Sequence, residues 1–374
     1  MDAQEFRHHL HRFPELSGQE YKSQTFIKEA LAEIGFEDSI AVGGTSLLLP
    51  LINQNEGPSI LIRADFDALP IEEINNFQHK SQNLGVSHKC GHDGHAAILY
   101  RLAQKIKEKP LEGGSLLLLW QASEENGQGA QRVLKDPKFQ AFNYDQAFAL
   151  HNIPGEPLGM VLCRPENFTA GVRSLSFKFK GLETHAAHPH EGRNPAQIIS
   201  KTLALAEYYT NNNPLDEDYT ILTPVYSSLG AKNYGISPAE GEVHFTLRTW
   251  SGYRLDQLCE EIHEKIKRWS EEEGIHLDYQ SFEEFWPNIN TEKSVALVRS
   301  SAQNLNMSYQ ELSYPYSWGE DFGLFTKEKA GAMFGLGSGE DCPVLHHPAY
   351  DFPDALIEKA SSLFYEILRQ SLNG

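Results

Sequence analysis

The chain has few cysteines, a deficit of basic residues and no long apolar run. Its 374 residues include only four cysteines, Cys90, Cys163, Cys259 and Cys342. They are far apart and form no C-x-x-C pair, which excludes a disulfide-stapled scaffold and predicts reduced thiols in a reducing compartment. Lysine and arginine together number 32 against 51 aspartates and glutamates, a formal net charge of -19. Such a balance disfavours nucleic acid and anionic lipid as partners, and otherwise describes solvated acidic faces. No stretch approaches the ~20 apolar residues of a membrane span, and the first residues lack a signal-peptide core. A cytoplasmic location with no membrane partner is the resulting expectation.

The sequence does carry enough apolar content, 40%, for real cores, and its length suits two domains. Apolar periodicity predicts a helix over 17–34, stopped by Gly35, and another over 94–106. Short apolar runs at 59–62, 115–120 and 147–150 read as buried strands. Strands alternating with helices define an α/β class with a largely parallel sheet covered on both faces. Near residue 170 the pattern changes. VRSLSFKFK at 172–180 and EVHFTLRTW at 242–250 alternate apolar and polar residues, as strands buried on one face do. Helices over 194–208 and 255–269 accompany them. A final helix is expected over 353–372, opened by Pro353. The expected organisation is a larger α/β domain, 1–168 and 285–374, with a smaller α+β domain, 169–284, inserted into it.

In open α/β sheets ligands bind beyond the carboxyl ends of the strands. There the sequence puts Asp65 and Asp67, then Glu124 and Glu125, then His151, after three separate apolar runs. Beside them, Cys90-Gly91-His92-Asp93-Gly94-His95 offers thiolate, imidazole and carboxylate donors, with glycines that let Cys90 and His92 face one point. Taken alone, paired glutamates are usually a solvated surface pair and a single histidine a core residue. Their convergence on one rim favours a metal site. Adjacent glutamates point different ways, so one can bind metal while the other acts as a general base. Two histidine-rich stretches remain, HAAHPH at 185–190 and LHHP at 345–348. The first is open to three readings: a catalytic element, a separate metal site, or a surface loop. Arg248, on an alternating strand, is either an exposed strand arginine or the partner of a substrate carboxylate.

The order RADFDALP at 63–70, CGHDGH at 90–95, QASEE at 121–125, LHNIP at 150–154, THAAHPH at 184–190, GEDF at 319–322 and LHHP at 345–348 resembles one family. It is the aminoacylase/carboxypeptidase superfamily of two-metal peptidases. Within it the chain is most similar to the amidohydrolases: hippurate hydrolases, N-acyl-amino-acid amidohydrolases, auxin-conjugate hydrolases and N-acetyldiaminopimelate deacetylases. The resemblance implies two divalent ions, zinc or manganese first, with cobalt or nickel also compatible. It makes Cys90, His92, Glu125, His151 and His346 the metal ligands. Glu124 becomes the general acid/base, Asp67 the residue that orients a ligand, and His185 the stabiliser of an oxyanion. His185 would act within its own subunit or from a partner's. The inserted domain becomes a lid that also supports a homodimer or tetramer.

The lid motif departs from the family pattern. Glu183-Thr184 precede His185 where glycines are usual, His188 stands where methionine is common, and Gly235 occupies the place of an asparagine. Asn233, two residues away, is the substrate-binding candidate that remains. The expected reaction is hydrolysis of an N-acyl amino acid by a metal-activated water. The alternatives are a dipeptidase or an aminopeptidase/carboxypeptidase on the same fold, a cysteine hydrolase with Cys90 as nucleophile and His92 or His95 as base, and a catalytically silent binding protein.

Overall fold

A computed structural model describes residues 1–52 and 57–373. The chain divides into two compact units. One comprises Met1–Phe168, Asn288–Ser313 and Glu320–Gly374; the other comprises Thr169–Pro287 and Tyr314–Gly319. Segment Tyr314–Gly319 returns to the smaller unit through a parallel bridge between Thr169 and Tyr316.

The larger unit is built on an eight-stranded sheet. Its centre is four parallel strands in the order Ser115–Gln121, Ser59–Asp65, Gln146–Ile153 and Ala330–Gly337. Antiparallel Ser46–Leu51 extends one side and antiparallel Val161–Cys163 the other. The central strands are continuous apolar runs because both faces are covered. Leu117, Leu118, Leu119 and Trp120, for example, are all fully buried. Helix His92–Glu108 lies on strand Ser59–Asp65, and Ala3–Arg12 and Ala355–Asn373 pack against that helix. Trp120 Nε1 donates to the Ala96 carbonyl at 3.1 Å, tying sheet to helix. Phe6 stacks on Tyr100 with centroids 4.3 Å apart.

The smaller unit is a four-stranded antiparallel sheet, ordered Thr220–Leu229, Glu240–Thr249, Gly171–Lys180 and His276–Phe285. Leu175, Phe177 and Phe179 alternate with polar neighbours, as do Val243, Phe245 and Leu247. Both sets join helices Ala196–Tyr209 and Gly252–Glu272 in one core.

The α/β class with a largely parallel sheet is therefore the observed one. The final helix begins at Ala355, two residues after Pro353, so that proline does not open it, and two further expectations change near the site. The helix expected from residue 17 begins at Tyr21. Residues 16–20 instead form a turn with Gly18 at φ 81°, because Ser17 and Glu20 are drawn inward to bond Asp67 and Ser123. The helix expected from residue 94 begins two residues earlier, at His92, directly after Gly91 in the left-handed region. Among the described residues, no helix is long and apolar enough to cross a membrane.

Candidate metal centre

The parallel strands end at one rim because their registers align: Arg63 pairs with Leu119 and with Ala149, and Gly335 with His151. Beyond the strand that ends at Gln121, Ser123 takes φ 61°. Its amide and hydroxyl donate to Glu20 Oε1 at 2.8 and 3.1 Å. Gly129 closes the turn, since a Cβ there would lie 1.9 Å from the Ala122 carbonyl oxygen. The turn presents Glu124, buried, and Glu125, half-buried.

Of the six residues from Cys90 to His95, only some face this rim. Gly91 sits at φ 98° against Asn152, where a Cβ would meet Oδ1 at 2.6 Å. That bend leaves Cys90 Sγ 3.5 Å from His151 Nε2. Asp93, a potential donor by residue type, turns away and accepts from Arg7 Nη1 at 2.9 Å and His11 Nδ1 at 2.8 Å. His95 has both nitrogens engaged, with Asp65 at 2.6 Å and Asn152 Oδ1 at 2.5 Å.

The remaining donors converge. His92 Nε2 is 3.8 Å from Glu125 Oε1 and 4.0 Å from Glu124 Oε2. His346 Nε2 is also 3.8 Å from Glu125 Oε1. Three triads, Cys90/His92/His151, Cys90/Glu125/His346 and His92/Glu124/Glu125, each have ligand atoms within 4.8 Å of one another. Glu125 thus joins two of them, as a shared ligand would. His346 reaches the group from a left-handed backbone, φ 65°, held by its N–H donating to the Lys89 carbonyl at 2.7 Å.

Hydrogen bonds set the histidine tautomers. His92 Nδ1 faces Asp67 Oδ1 and the Asp67 carbonyl, each at 3.1 Å, so it carries the proton and Nε2 presents a lone pair to the cluster. Asp67 is itself fixed, accepting from Ser17 Oγ at 2.7 Å and from the Glu125 amide at 3.0 Å. His151 Nδ1 faces the Asn152 carbonyl at 3.0 Å, which turns its Nε2 toward Cys90.

Electrically the rim is short of positive charge. Arg63 is fully buried and faces three carboxylates, Asp65 at 2.5 Å, Asp321 at 2.8 Å and Glu320 at 2.9 Å. Burial, and then the charges of Glu320, Glu125 and Asp321, push the Glu124 carboxyl well above the usual carboxylate range. Burial, only partly opposed by His92, brings Glu125 to about 7. His92 Nε2 and Glu125 Oε1 are buried without a hydrogen-bond partner. An imidazole lone pair, a carboxylate and a thiol aimed at one another, with excess negative charge around them, fit a divalent cation. Burial and Glu125 also push the Cys90 thiol well above its ordinary value, which argues against a cysteine nucleophile.

Several groups that build this site are not among the residues the sequence singles out for a role. They are Arg63, Gln121, Glu320 and Asp321 behind the glutamates, and Arg7, His11, Glu73 and Lys89 behind the Cys90 loop. RADFDALP and GEDF were the available signal, since each puts charged residues next to an apolar run.

In the smaller unit, the exposed His185 lies on strand Thr184–His185, paired with Ile236–Ser237. The Ala187 amide donates to its Nδ1 at 3.0 Å, which leaves Nε2 carrying the proton, a hydrogen-bond donor. Asn233 is on the neighbouring segment, its Oδ1 accepting from Gly235 N at 3.2 Å, while Ala186 N donates to the Gly235 carbonyl. Arg248 is half-buried on Glu240–Thr249 and donates to the Ser317 carbonyl at 2.9 Å.

A rim lined by carboxylates, imidazoles and a thiol at the ends of parallel strands has the donor types of a metal-dependent hydrolase. Residues 61–370 match Peptidase family M20/M25/M40, and the chain belongs to this family. It is 30% identical over 371 residues to the N-acetyl-L-cysteine deacetylase of Bacillus subtilis (strain 168), covering 98% of this chain and 88% of that one. It is 28% identical over 358 residues to the N-acetyldiaminopimelate deacetylase of Exiguobacterium sibiricum, covering 94% of each. Among solved structures, a dinuclear metal binding peptidase of the M20 family from Bacillus subtilis superposes with a TM-score of 0.83 at 23% identity, covering 99% of this chain and 98% of that one.

Proposed function

We propose that the chain is an amidohydrolase of N-acyl amino acids, with two divalent ions, zinc or manganese, held by Cys90, His92, Glu125, His151 and His346. The observation that carries this reading is the pair of buried, unpartnered atoms His92 Nε2 and Glu125 Oε1, 3.8 Å apart inside the donor cluster. Bound ions of this kind lower the pKa of a coordinated water from 15.7 to about 7 and polarise an amide carbonyl.

The protein's own groups do the rest. Glu124, whose carboxyl is held high by burial and by neighbouring carboxylates, takes a proton from the attacking water and passes it to the leaving amine nitrogen. Asp67 keeps the His92 proton on Nδ1, so that Nε2 stays a ligand. His185, with Nε2–H free to donate, is assigned to the carbonyl oxygen as it gains charge. Arg248 is assigned to the carboxylate of the amino-acid half, and Asn233 to a substrate hydrogen bond. One of the two edge strands of the smaller sheet, Thr220–Leu229, with Val225 and Tyr226 exposed, supports assembly with a second copy through that unit.

Both deacetylase relatives by name remove an acyl group from an amino acid, which favours acyl conjugates over peptides. The test is amino-acid release from N-acetyl, N-benzoyl and indole-acetyl amino acids and from dipeptides, with zinc, manganese or EDTA added. Metal-dependent release from an acyl conjugate is expected. Cleavage of dipeptides alone would transfer the chain to the peptidase reading, and turnover unaffected by EDTA would defeat the metal centre.

A further inference from the structure

We propose that His188, His190 and Glu191 form an additional divalent-cation site in the smaller unit, sharing no residue with the Cys90 cluster. Its ligand chemistry is two imidazoles and one carboxylate, which selects zinc, nickel or copper(II) over magnesium or calcium.

The three side chains each offer one donor atom, and these atoms lie within 4.8 Å of one another. Zinc holds imidazole nitrogen at about 2.0–2.1 Å and carboxylate oxygen at about 2.0–2.2 Å, so ligands sharing one ion stand roughly 3–4 Å apart. Rotamer adjustments of exposed side chains are enough to close that difference. The backbone beneath them is already arranged. Pro189 opens a 3-10 turn, Pro189–Glu191, with its φ fixed by the ring. Glu191 N donates to the His188 carbonyl at 3.1 Å and Gly192 N to the Pro189 carbonyl at 3.2 Å. The base of the loop is closed by reciprocal bonds between Leu182 and Arg193, at 3.0 and 2.9 Å. Gly192 permits that closure, since a Cβ there would lie 2.6 Å from the Leu182 oxygen. Ordering on ion binding therefore falls on three side chains rather than on the chain path.

Three protein ligands leave a coordination position open to solvent. The site is also tied to its neighbour: His188 N donates to the His185 carbonyl at 2.8 Å, and the two rings are 5.9 Å apart. An ion on His188 would tether the turn that carries His185.

Zinc binding to the full chain, measured by equilibrium dialysis, tests the site. His188→Ala and His190→Ala are compared with the unaltered protein, each alone and in a His346→Ala background. All three residues are exposed, and unchanged thermal unfolding of the apo variants checks that the fold is kept. The unaltered chain is expected to take up one more zinc than either variant, and this difference is expected to persist with His346 replaced. Copper(II) added to the zinc-loaded chain should give an electron paramagnetic resonance spectrum with imidazole nitrogen couplings that His188→Ala removes. Equal zinc stoichiometry and affinity in the unaltered chain and both variants would overturn the proposal. A failure of the Cys90 cluster would read differently, as no loss of zinc on His346→Ala while the His188-dependent ion remains.

Discussion

His92 shows how a single side chain is prepared for the ligand role proposed for it. Its ring is buried, its Nδ1–H donates to Asp67, and its Nε2 has no partner but the cluster. Asp67 in turn is held by Ser17 and by the Glu125 amide, so one carboxylate positions two proposed ligands. Replacing Asp67 with Ala is therefore expected to weaken metal affinity by about 10–100-fold, read by competition with a chromophoric chelator. Unchanged affinity would remove Asp67 from the account. The donor types at the rim were legible in sequence because each follows an apolar strand. Their directions were not. Asp93 lies one residue from His92 on the same helix, and the turn of about 100° per residue sends it to Arg7 and His11 instead. Nothing local in CGHDGH distinguishes the two.

At the scale of elements, the start of helix His92–Glu108 governs the site. Gly91 supplies a left-handed φ of 98° with no room for a Cβ beside Asn152. Gly91→Ala is expected to destabilise the protein by about 1–3 kcal/mol, measured by denaturant unfolding, and to weaken metal binding as Cys90 is displaced. Full stability in that variant would show that the bend is not needed. Three of the four central strands of the larger unit were readable because buried parallel strands are unbroken apolar runs; Ala330–Gly337, interrupted by Gly331, Gly335 and Gly337, and antiparallel Ser46–Leu51 were not marked. Two strands of the smaller sheet escaped the reading. Thr220–Leu229 and His276–Phe285 are exposed at most positions, and each carries a register shift, so apolar alternation is too weak to mark them.

For the whole molecule, the buried charges behind the Cys90 loop link stability to pH. Burial disfavours a charged His11, but Asp93 and Glu73 outweigh it and raise the ring to about 9. A folded value above the unfolded 6.5 means that the stabilisation is complete below pH 6.5 and is lost as pH rises through about 9. The stability difference between the apo protein and its His11→Gln variant should accordingly narrow between pH 6.5 and 9.5 in denaturant titrations. A constant difference would mean that His11 is neutral in the fold. This network was invisible in sequence because its members are distant along the chain: Arg7 meets Asp93 and Asp351, and Lys89 reaches the Tyr350 carbonyl. Chelation should act on the same scale, since removing cations leaves the carboxylates of the rim uncompensated. EDTA is expected to lower the melting temperature, and addition of zinc or manganese to restore it.

In the proposed mechanism one largely buried cluster, open at His346, holds the ions while Glu124 moves the proton. The most direct test measures metal content and amide hydrolysis together in the metal-loaded protein and in Glu124→Gln. Equal metal content is expected in both proteins, two ions of it lost on replacing the Cys90-cluster ligands, with turnover of an N-acyl amino acid reduced by about 10²–10⁴-fold in the variant. Turnover retained in Glu124→Gln, or lost only in step with lost metal, would contradict it.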